Sequence, residues 1–301
     1  MSTVVNPGKR DRLWRGVVIA TPYLWLLLFF LIPFAIVLKI SFADPLVAQP
    51  PFSHFFDWTA TTGDRILATL DNYRFLLEDK LYLVSYLKSI KIALISTALC
   101  LLLGFPMAYA IALTPYPWRN LLLLLVILPF WTSFLLRVYA WMVMLGKQGL
   151  INHLLISSGL IDEPLQMLYT DGAVYLGIVY TYVPFMILPL YATLEKLDLD
   201  LNEAAADLGA RPHQIFRDIT LPLALPGIIA GCLLVFIPAL GEYVIPALLG
   251  GLDSLMIGRT LYDEFFVNRD WPLASAVAVV LLLILILPIM LFQRLQQESD
   301  A

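Results

Sequence analysis

Charged residues are scarce in this chain of 301 residues, and cysteine and histidine are scarcer still. Asp, Glu, Lys and Arg together make up 14% of the sequence, against about a quarter in soluble globular domains. Cys100 and Cys232 both lie inside apolar stretches without metal-ligand spacing, which excludes a disulfide framework. His54, His153 and His213 lie far apart in sequence. No histidine cluster for a metal or for catalysis is therefore indicated.

Motifs for nucleotide chemistry and for hydrolysis are also absent. The sequence contains no G-x-x-x-x-G-K-[ST] phosphate-binding loop, which excludes ATP binding of the usual kind. It contains neither H-E-x-x-H nor G-x-S-x-G. Ser85 and Lys88 have enzyme-like spacing but no supporting motif. These absences predict a chain that is not an enzyme and that holds no metal or cofactor of its own.

Apolar residues make up 60% of the sequence, and they are gathered into six long blocks. Blocks of about 20 apolar residues are long enough to cross a bilayer as helices. None of them shows the alternation of apolar and polar residues that is typical of a barrel strand. Helices are therefore expected, because in the membrane the backbone N–H and C=O groups must be hydrogen-bonded within the protein. We predict an all-α integral membrane protein whose six transmembrane helices span residues 17–38, 92–113, 121–145, 173–194, 222–242 and 273–292. The first block exceeds a signal-peptide core of about 7–15 residues and is expected to be retained.

The remaining residues divide into termini and loops around these blocks. Residues 1–16 form a basic N-terminal segment, residues 17–295 the membrane domain and residues 296–301 a short tail. The longest loop, 41–89, contains LDNYRFLLEDKLYLVSYLKS, which predicts one or two short helices at the membrane surface. Gly227 and Gly231 form a G-x-x-x-G motif, which predicts close helix packing.

The N-terminal charges predict the orientation of the chain. Lys9, Arg10, Arg12 and Arg15 precede the first block, so the positive-inside rule places both termini in the cytoplasm. With this cluster included, nine Lys and Arg residues fall on each side, so the prediction depends on the cluster and not on the overall count.

The three loops assigned to the outside are acidic. Loops 41–89, 146–172 and 250–272 each contain two more acidic than basic residues. An entrance lined by charges of one sign raises the local concentration of ligands of the opposite charge, so acidic loops favour a cationic substrate. The alternative is that these loops are acidic because the whole chain has a net charge of −4.

Between the fourth and fifth blocks lies a polar segment, EAAADLGARPHQIFRDITLP, at residues 203–222. The spacing of Asp200 and Glu203 is that of a capping box at a helix start. Gly209 is typical of a helix end, and Pro212 of a first helical turn. Leu221-Pro222 is expected to turn the chain into the membrane. The segment predicts two short helices, the second with an apolar stripe at Ile215, Phe216 and Ile219.

This segment resembles the EAA loop of permease subunits in bacterial ABC importers. The family pattern is E-A-A, three residues, G, nine residues, I, one residue and L-P, and every fixed position matches. In that family the loop is a coupling helix that binds in a cleft of the ATPase subunit. We call residues 198–222 the coupling loop. The resemblance implies ATPase contacts by Glu203, Ala204, Ala205, Gly209, Arg211, Ile219, Leu221 and Pro222.

The resemblance extends over most of residues 17–295. ILPFWTSFLLRVYAWM, VYTYVPFMILPLYATLEKLD, PALGEYVIPALLGG and FFVNRDWPLASAVA are similar to permease subunits of spermidine/putrescine importers, closer to the putrescine-system member than to the spermidine-preferring one. The resemblance implies a type I importer fold with a cytoplasmic coupling helix, in the bacterial inner membrane. It also implies a heterodimer with a second homologous permease, two cytoplasmic ATPases that bind ATP and Mg²⁺, and a periplasmic polyamine-binding protein. Nucleic acid is not an expected partner.

Two charges lie in or beside apolar blocks, where charge is costly and usually functional or paired. Arg137 lies in the third block, and Glu242 ends the fifth. Both helices run from the inside to the outside, so the two charges are expected to reach similar depth near the outer end. One hypothesis is that Glu242 meets an ammonium of the polyamine, with cation–π contacts to nearby rings. The alternative is that Glu242 pairs with Arg137. The candidate rings are Tyr139, Trp141, Tyr180, Tyr182 and Tyr243.

The last outer loop contains a third group of candidates, which we call the docking set. Its members would guide substrate or bind the periplasmic protein, and the sequence leaves both roles open. They are Asp253, Arg259, Asp263, Glu264, Arg269, Asp270 and Trp271. A stand-alone carrier or channel for organic cations is the alternative function. Such carriers often contain inverted repeats, and none is visible here.

Overall fold

The computed structural model describes residues 9–53, 56–57, 65–66, 69–198, 200–251 and 254–299. Two strands, β1 Phe56–Asp57 and β2 Arg65–Ile66, pair antiparallel with Phe56 opposite Ile66. The α-helices are α1 Lys9–Leu26, α2 Ile32–Ile40, α3 Asp71–Glu78, α4 Lys80–Leu113, α5 Trp118–Ile127, α6 Phe134–Leu145, α7 Leu150–Ser157, α8 Asp171–Leu194, α9 Asp200–Asp207, α10 Pro212–Ile215, α11 Leu221–Leu240, α12 Val244–Leu249, α13 Ile257–Tyr262 and α14 Trp271–Ser299. Wider π-helical turns occupy Leu27–Leu31, Phe216–Thr220 and Asp263–Val267.

Six helical segments in the described ranges are long and apolar enough to cross a membrane, which confirms the predicted all-α membrane class. They span Val17–Ile40, Lys80–Leu113, Phe134–Ser157, Asp171–Leu194, Pro212–Leu240 and Trp271–Met290. The second span begins at Lys80 rather than at Ile92, because Asp79 caps α4 by accepting a hydrogen bond from the Leu81 N–H at 2.8 Å. The predicted surface helices of residues 70–89 are therefore α3 and the first turns of α4.

The third block is not one helix, contrary to the prediction for residues 121–145. α5 ends at Ile127, a 3-10 turn follows over Leu128–Trp131, and Thr132 and Ser133 are extended. Pro129 lies in the 3-10 turn, where its missing N–H and fixed φ disrupt an α-helical ladder. Because the helix is broken, the depth of Arg137 cannot be measured along it from residue 121.

The coupling loop enters the fifth span without a turn, so the turn predicted at Leu221-Pro222 is wrong. α10 continues through the π-helical turn Phe216–Thr220 directly into α11. In a regular helix, the ring of Pro222 would clash with the carbonyl four residues earlier. The wider turn gives the ring room at that point. The loop and the span are consequently one helix from Pro212 to Leu240.

The chain divides into two compact units, residues 1–78 with 264–280 and residues 79–263 with 281–301. In the first unit, Asn72 of α3 is buried and donates to the carbonyl oxygens of Ser41 and Ala43 at 3.0 and 2.8 Å. In the second unit, α4, α8 and α11 pack against one another. One apolar cluster there includes Ile178 and Leu240, and another includes Met186 and Leu190.

Gly227 and Gly231 lie where α11 packs against α8, in agreement with the predicted close packing. A Cβ at Gly231 would lie 2.7 Å from the Met186 sulfur, and one at Gly227 would lie 2.6 Å from Thr193 Oγ1 and 3.0 Å from the Pro189 carbonyl oxygen. Only hydrogen fits at either position, so the motif brings the two helices together.

Gly227→Ala is expected to lower the free energy of unfolding in detergent by about 1–3 kcal/mol, because its methyl group would overlap α8. Gly172→Ala is the matched control, since its Cβ would meet only Thr170 Oγ1 at 3.5 Å, and its effect should stay within about 0.5 kcal/mol. Denaturant titration of the purified protein measures both. Equal stability of the two variants would contradict this packing.

Candidate functional site

The first helix of the coupling loop ends at Gly209, as the sequence predicts. Gly209 has a φ of +86°, a conformation that glycine adopts without steric cost. Its N–H donates to the Ala206 carbonyl at 2.9 Å, and the Ala210 N–H donates to the Ala205 carbonyl at 3.0 Å. This pair of bonds is the Schellman ending of a helix. The turn between the two helices is therefore set by the backbone of Gly209.

The helix start differs from the prediction. Asp200 is the first helical residue of α9, and its N–H donates a hydrogen bond to the Asp198 carboxylate at 3.1 Å. The predicted capping box of Asp200 with Glu203 is therefore wrong, since Asp200 is itself capped. The second helix begins at Pro212, as predicted, after an extended Arg211 whose N–H donates to the Gln214 side chain at 2.8 Å.

Most of the family-pattern residues face outward. Glu203, Ala204, Gly209, Arg211, Leu221 and Pro222 are exposed, and Ala205 and Ile219 are half-buried. Leu208, which precedes the turn glycine, is 90% exposed. A single exposed leucine is common on protein surfaces, but at this turn its side chain is accessible to a partner. Sequence reasoning treated Leu208 only as a helix residue and missed this exposure.

Two contacts lie where the coupling loop meets the membrane-spanning helices of the second unit. Phe216 meets the Phe105 ring of α4 edge-on, with centroids 5.5 Å apart. Arg119 pairs with Glu195, the residue after α8, at 2.9 Å. The same guanidinium donates to the carbonyls of Ala112 and Thr114 at the end of α4, both at 3.1 Å. Arg119 thus connects the ends of α4 and α8 next to the coupling loop.

Glu242 is an enclosed carboxylate between α11 and α12, only 8% exposed. Its Oε1 accepts from the N–H groups of Tyr243, Val244 and Ile245 at 3.2, 3.1 and 3.4 Å. Its Oε2 accepts from the Tyr182 hydroxyl at 2.5 Å. Negative charge is favoured at a helix start because unpaired N–H groups point there. The carboxylate therefore caps α12 and ties it to α8.

The alternative pairing of Glu242 with Arg137 is not formed. No ion pair of Arg137 occurs among the described residues, and its guanidinium instead lies over Phe130 and Phe134. Of the candidate rings, Tyr182 contacts Glu242 through its hydroxyl, whereas the Tyr243 ring stacks on Tyr262 with centroids 4.2 Å apart. Trp141 packs edge-on against Tyr180 at 5.3 Å, and Tyr139 is exposed.

The docking set separates into different environments. Asp253 lies outside the described residues. Arg259 lines a cavity of about 810 Å³ in the second unit, together with Asp171 and Ser254. The Asp171 carboxylate accepts from Ser254 Oγ at 2.5 Å and lies 3.7 Å from the Lys88 ammonium. Sequence reasoning missed this polar group, because its residues are distant in sequence and match no motif.

In the first unit, the docking-set acids stabilise a turn. The Glu264 carboxylate accepts from Asn268 at 2.8 Å, and Asp270 caps α14 by accepting from the Leu273 N–H at 3.0 Å. Burial raises the pKa of the Asp270 carboxyl. Trp271 stacks on Phe265 with centroids 5.0 Å apart. Arg269 has a φ of +58°, so this exposed cation is presented by a strained backbone. Asp263 is the last residue of the second unit and is half-buried.

Curated proteins similar to this chain are permease subunits. A spermidine/putrescine transport system permease protein, PotB, of Salmonella typhimurium is 40% identical over 95% of both chains. The Haemophilus influenzae protein of that name is 41% identical over 93% of both. The Escherichia coli K12 protein is 44% identical over 76% of this chain and 83% of its own.

Solved structures show the same fold. A bacterial alginate ABC transporter in complex with an alginate-bound periplasmic protein matches with a TM-score of 0.68 and 20% identity over 97% of this chain and 96% of that one. The MetNI methionine ABC transporter matches with a TM-score of 0.53 and 16% identity over 71% of this chain and 94% of that one. The predicted type I importer permease fold is thereby confirmed.

A family model described as "binding-protein-dependent transport system inner membrane component" matches residues 1–299. That match covers nearly the whole chain, and the curated relatives are transport subunits rather than enzymes. Both findings agree with the coupling loop and the six spans. This chain belongs to the family of inner membrane components of binding-protein-dependent transport systems.

Proposed function

We propose that this chain is the permease subunit of an ATP-driven importer that moves polyamine, putrescine and/or spermidine, from the periplasm into the cytoplasm. The observation that carries the proposal is the complete EAA pattern, folded as an exposed helix–turn–helix between the fourth and fifth spans. A stand-alone carrier would have no use for such a loop. The names of the curated relatives support the choice of polyamine.

The partners follow from this assignment. A second homologous permease forms a heterodimer with this chain in the lipid bilayer, and two cytoplasmic ATPases bind ATP and Mg²⁺. A periplasmic binding protein delivers the polyamine. Both termini lie in the cytoplasm because the basic cluster at residues 9–15 precedes the first span. This orientation places the coupling loop on the ATPase side.

The mechanism is alternating access. ATP binding closes the ATPase pair, and the closure displaces the coupling loop through its exposed residues Glu203, Leu208 and Gly209. Because the loop continues into α11 as one helix, its displacement moves the fifth span. The Arg119–Glu195 ion pair and the Phe216–Phe105 contact carry the same displacement to α4 and α8.

The substrate path includes Glu242. A polyamine ammonium replaces the Tyr182 hydroxyl at Oε2, while the three backbone N–H groups continue to hold Oε1. Tyr182 and Tyr243 then offer ring faces to the cation. In the docking set, Arg259, Arg269 and Trp271 contact the binding protein, since Glu264 and Asp270 already bond within their own turn.

Reconstitution of the complete importer in liposomes tests the proposed function. We expect ATP hydrolysis to rise by about tenfold, equivalent to 1.4 kcal/mol in activation free energy, when binding protein and putrescine or spermidine are both present. Radiolabelled polyamine should accumulate only with ATP. A neutral diol of the same length as putrescine is the control ligand. Accumulation of polyamine without ATPase subunits would instead indicate a stand-alone carrier.

A further inference from the structure

The cavity of about 810 Å³ in the second unit contains an arginine whose hydrogen-bonding capacity is mostly unused. Arg259 of α13 is half-buried, and its side chain makes one long hydrogen bond among the described residues, from Nη1 to the Pro246 carbonyl oxygen at 3.5 Å. A guanidinium has five N–H donors, so most of them remain available. Because Arg259 forms part of the cavity wall, a ligand that enters the cavity can reach these donors.

The acidic residue in the wall of the same cavity is already paired. The Asp171 carboxylate accepts a hydrogen bond from Ser254 Oγ at 2.5 Å and lies 3.7 Å from the Lys88 ammonium. Arg259, in contrast, forms no ion pair in the part of the chain that the structure describes. The charge left without a counterion in the cavity is therefore positive, and it favours an anionic ligand. A polyamine is excluded as that ligand because like charges repel.

The wall of the cavity also contains a tyrosine with a strained backbone. Tyr169 has a φ of +63°, a conformation that is rare for a bulky residue. Packing imposes it, because the Tyr169 N–H donates to the Leu249 carbonyl at 2.9 Å and a Cβ at Gly251 would lie 2.6 Å from the Tyr169 carbonyl oxygen. Tyr169 is nevertheless 56% exposed. Strained residues are concentrated at functional sites, and Tyr and Arg are enriched in protein interfaces.

The position of the cavity indicates which partner can reach it. Its wall includes Thr170 and Asp171, at the start of the fourth span Asp171–Leu194. With both termini in the cytoplasm, as in the proposed function, the fourth span begins on the periplasmic side. The partner that approaches this side is the binding protein that delivers polyamine. Its Asp and Glu side chains carry the planar carboxylate that a guanidinium binds with two parallel hydrogen bonds.

We propose that this cavity receives an acidic side chain of the periplasmic binding protein, with Arg259 binding the carboxylate and Tyr169 packing beside it. The proposal rests on the proposed function for the orientation of the chain and for the binding protein, and it adds the place and the chemistry of their contact. The volume of the cavity lies within the range of about 300–1,000 Å³ that is common for ligand sites.

The test titrates binding protein, loaded with putrescine, against the importer reconstituted in liposomes. The concentration that gives half of the maximal stimulation of ATP hydrolysis is determined. We expect Arg259→Gln to raise this concentration at least about tenfold, because interface arginines are often among the few residues that carry most of the binding energy. Arg259→Lys should raise it less, since the charge remains and only the paired hydrogen bonds are lost.

Two further variants separate the cavity from the general charge of the outer surface. Arg74→Gln is the matched control, because Arg74 is an exposed arginine that already pairs with Glu78 at 2.7 Å. Its half-saturating concentration should stay within about twofold of wild type, since exposed ion pairs contribute little. Ala247→Phe places a ring in the cavity wall and retains Arg259. It should raise the half-saturating concentration as Arg259→Gln does, because the acidic side chain could no longer enter.

Unchanged half-saturating concentrations for Arg259→Gln and Ala247→Phe would overturn the proposal. Loss of bound phospholipid, measured as phosphorus per complex, or loss of the second permease from purified Arg259→Gln would equally overturn it, since the anion would then belong to a lipid or to that subunit. Where Arg259→Gln fails to accumulate, Ala247→Phe decides between these outcomes.

Charge reversal identifies the residue on the binding protein. Arg259→Glu is combined with single acid-to-arginine changes on the surface of the binding protein. Restored stimulation by one such change supports the contact, and no restoration contradicts it. Failure of the proposed function gives a different result, because binding protein with polyamine would then not stimulate ATP hydrolysis even by the wild-type importer.

Discussion

Gly209→Pro is expected to reduce polyamine-stimulated ATP hydrolysis of the reconstituted importer by at least about tenfold, equivalent to 1.4 kcal/mol in activation free energy. Proline holds φ near −65°, whereas Gly209 has a φ of +86° and donates its N–H to Ala206. The substitution removes both the turn and that bond. α9 would then lose its position relative to α10, and the exposed Leu208 would leave the place where we propose that it contacts the ATPase.

The chain offers a matched control at Gly159. This glycine follows α7, has a φ of +70°, and donates its N–H to the Ile156 carbonyl at 3.0 Å. A Cβ at either glycine would meet nothing within 4 Å. Gly159→Pro therefore imposes the same local change outside the coupling loop. It should lower stability by a similar amount and leave the ATPase stimulation within about twofold of wild type.

The amount of ATPase subunit that copurifies with the tagged permease distinguishes loss of ATPase binding from loss of stimulation in an assembled complex. We expect Gly209→Pro to recover less ATPase than Gly159→Pro, since the turn positions the residues that we propose as ATPase contacts. Equal recovery and equal stimulation for the two variants would show that residues 198–222 do not carry the coupling. In that case the EAA pattern would have only a structural role here.

Substitutions at Glu242 are expected to have the other large effect. Three variants distinguish loss of the carboxylate charge from loss of its hydrogen bonds. Glu242→Gln keeps an oxygen that can accept from the N–H groups of Tyr243 and Val244 but removes the negative charge. We expect normal assembly and a polyamine transport rate reduced by at least about tenfold, equivalent to 1.4 kcal/mol. The reduction arises because an amide cannot offer a full charge to an ammonium in a site of low dielectric. Radiolabelled uptake into proteoliposomes measures it.

Tyr182→Phe is the matched control for Glu242→Gln, because it removes one hydrogen bond and retains the carboxylate. It should cost about 1–3 kcal/mol in stability and leave most of the transport. Glu242→Ala removes both functions, leaving the N–H groups of α12 and the Tyr182 hydroxyl unbonded, and should destabilise the protein by about 3 kcal/mol. Full transport by a normally assembled Glu242→Gln would exclude the carboxylate from the substrate path.

The coupling loop was largely predictable from its own residues, because its signals are local. A glycine at a helix end and a proline at a helix start act through φ preferences that do not depend on the rest of the chain. The capping box was mispredicted at Asp200 because Asp198 offers an equally placed carboxylate. Asp198 and Asp200 are two residues apart, and the sequence pattern alone does not show which of the two caps the helix.

The Glu242 site and the Arg137 environment could not be predicted in the same way. Tyr182 is 60 residues from Glu242 in sequence, and their contact exists only because α8 packs against α11. The alternative pairing of Glu242 with Arg137 assumed that the third block is one straight helix. Pro129 was the available signal against that assumption, but a proline within an apolar block is also compatible with a kinked, continuous helix.

The sequence by itself determined the membrane class, the number of spans and the helix–turn–helix of the coupling loop, because hydrophobic length and local backbone preferences are properties of one contiguous segment of chain. Only the tertiary structure decided which donors enclose Glu242, that Arg119 joins α4 to α8, and that Arg137 lies over two rings and forms no ion pair among the described residues. The physical reason is the separation in sequence between the residues that come into contact. A carboxylate in an apolar span must find hydrogen-bond donors wherever packing places them, and packing depends on helices that are distant in sequence.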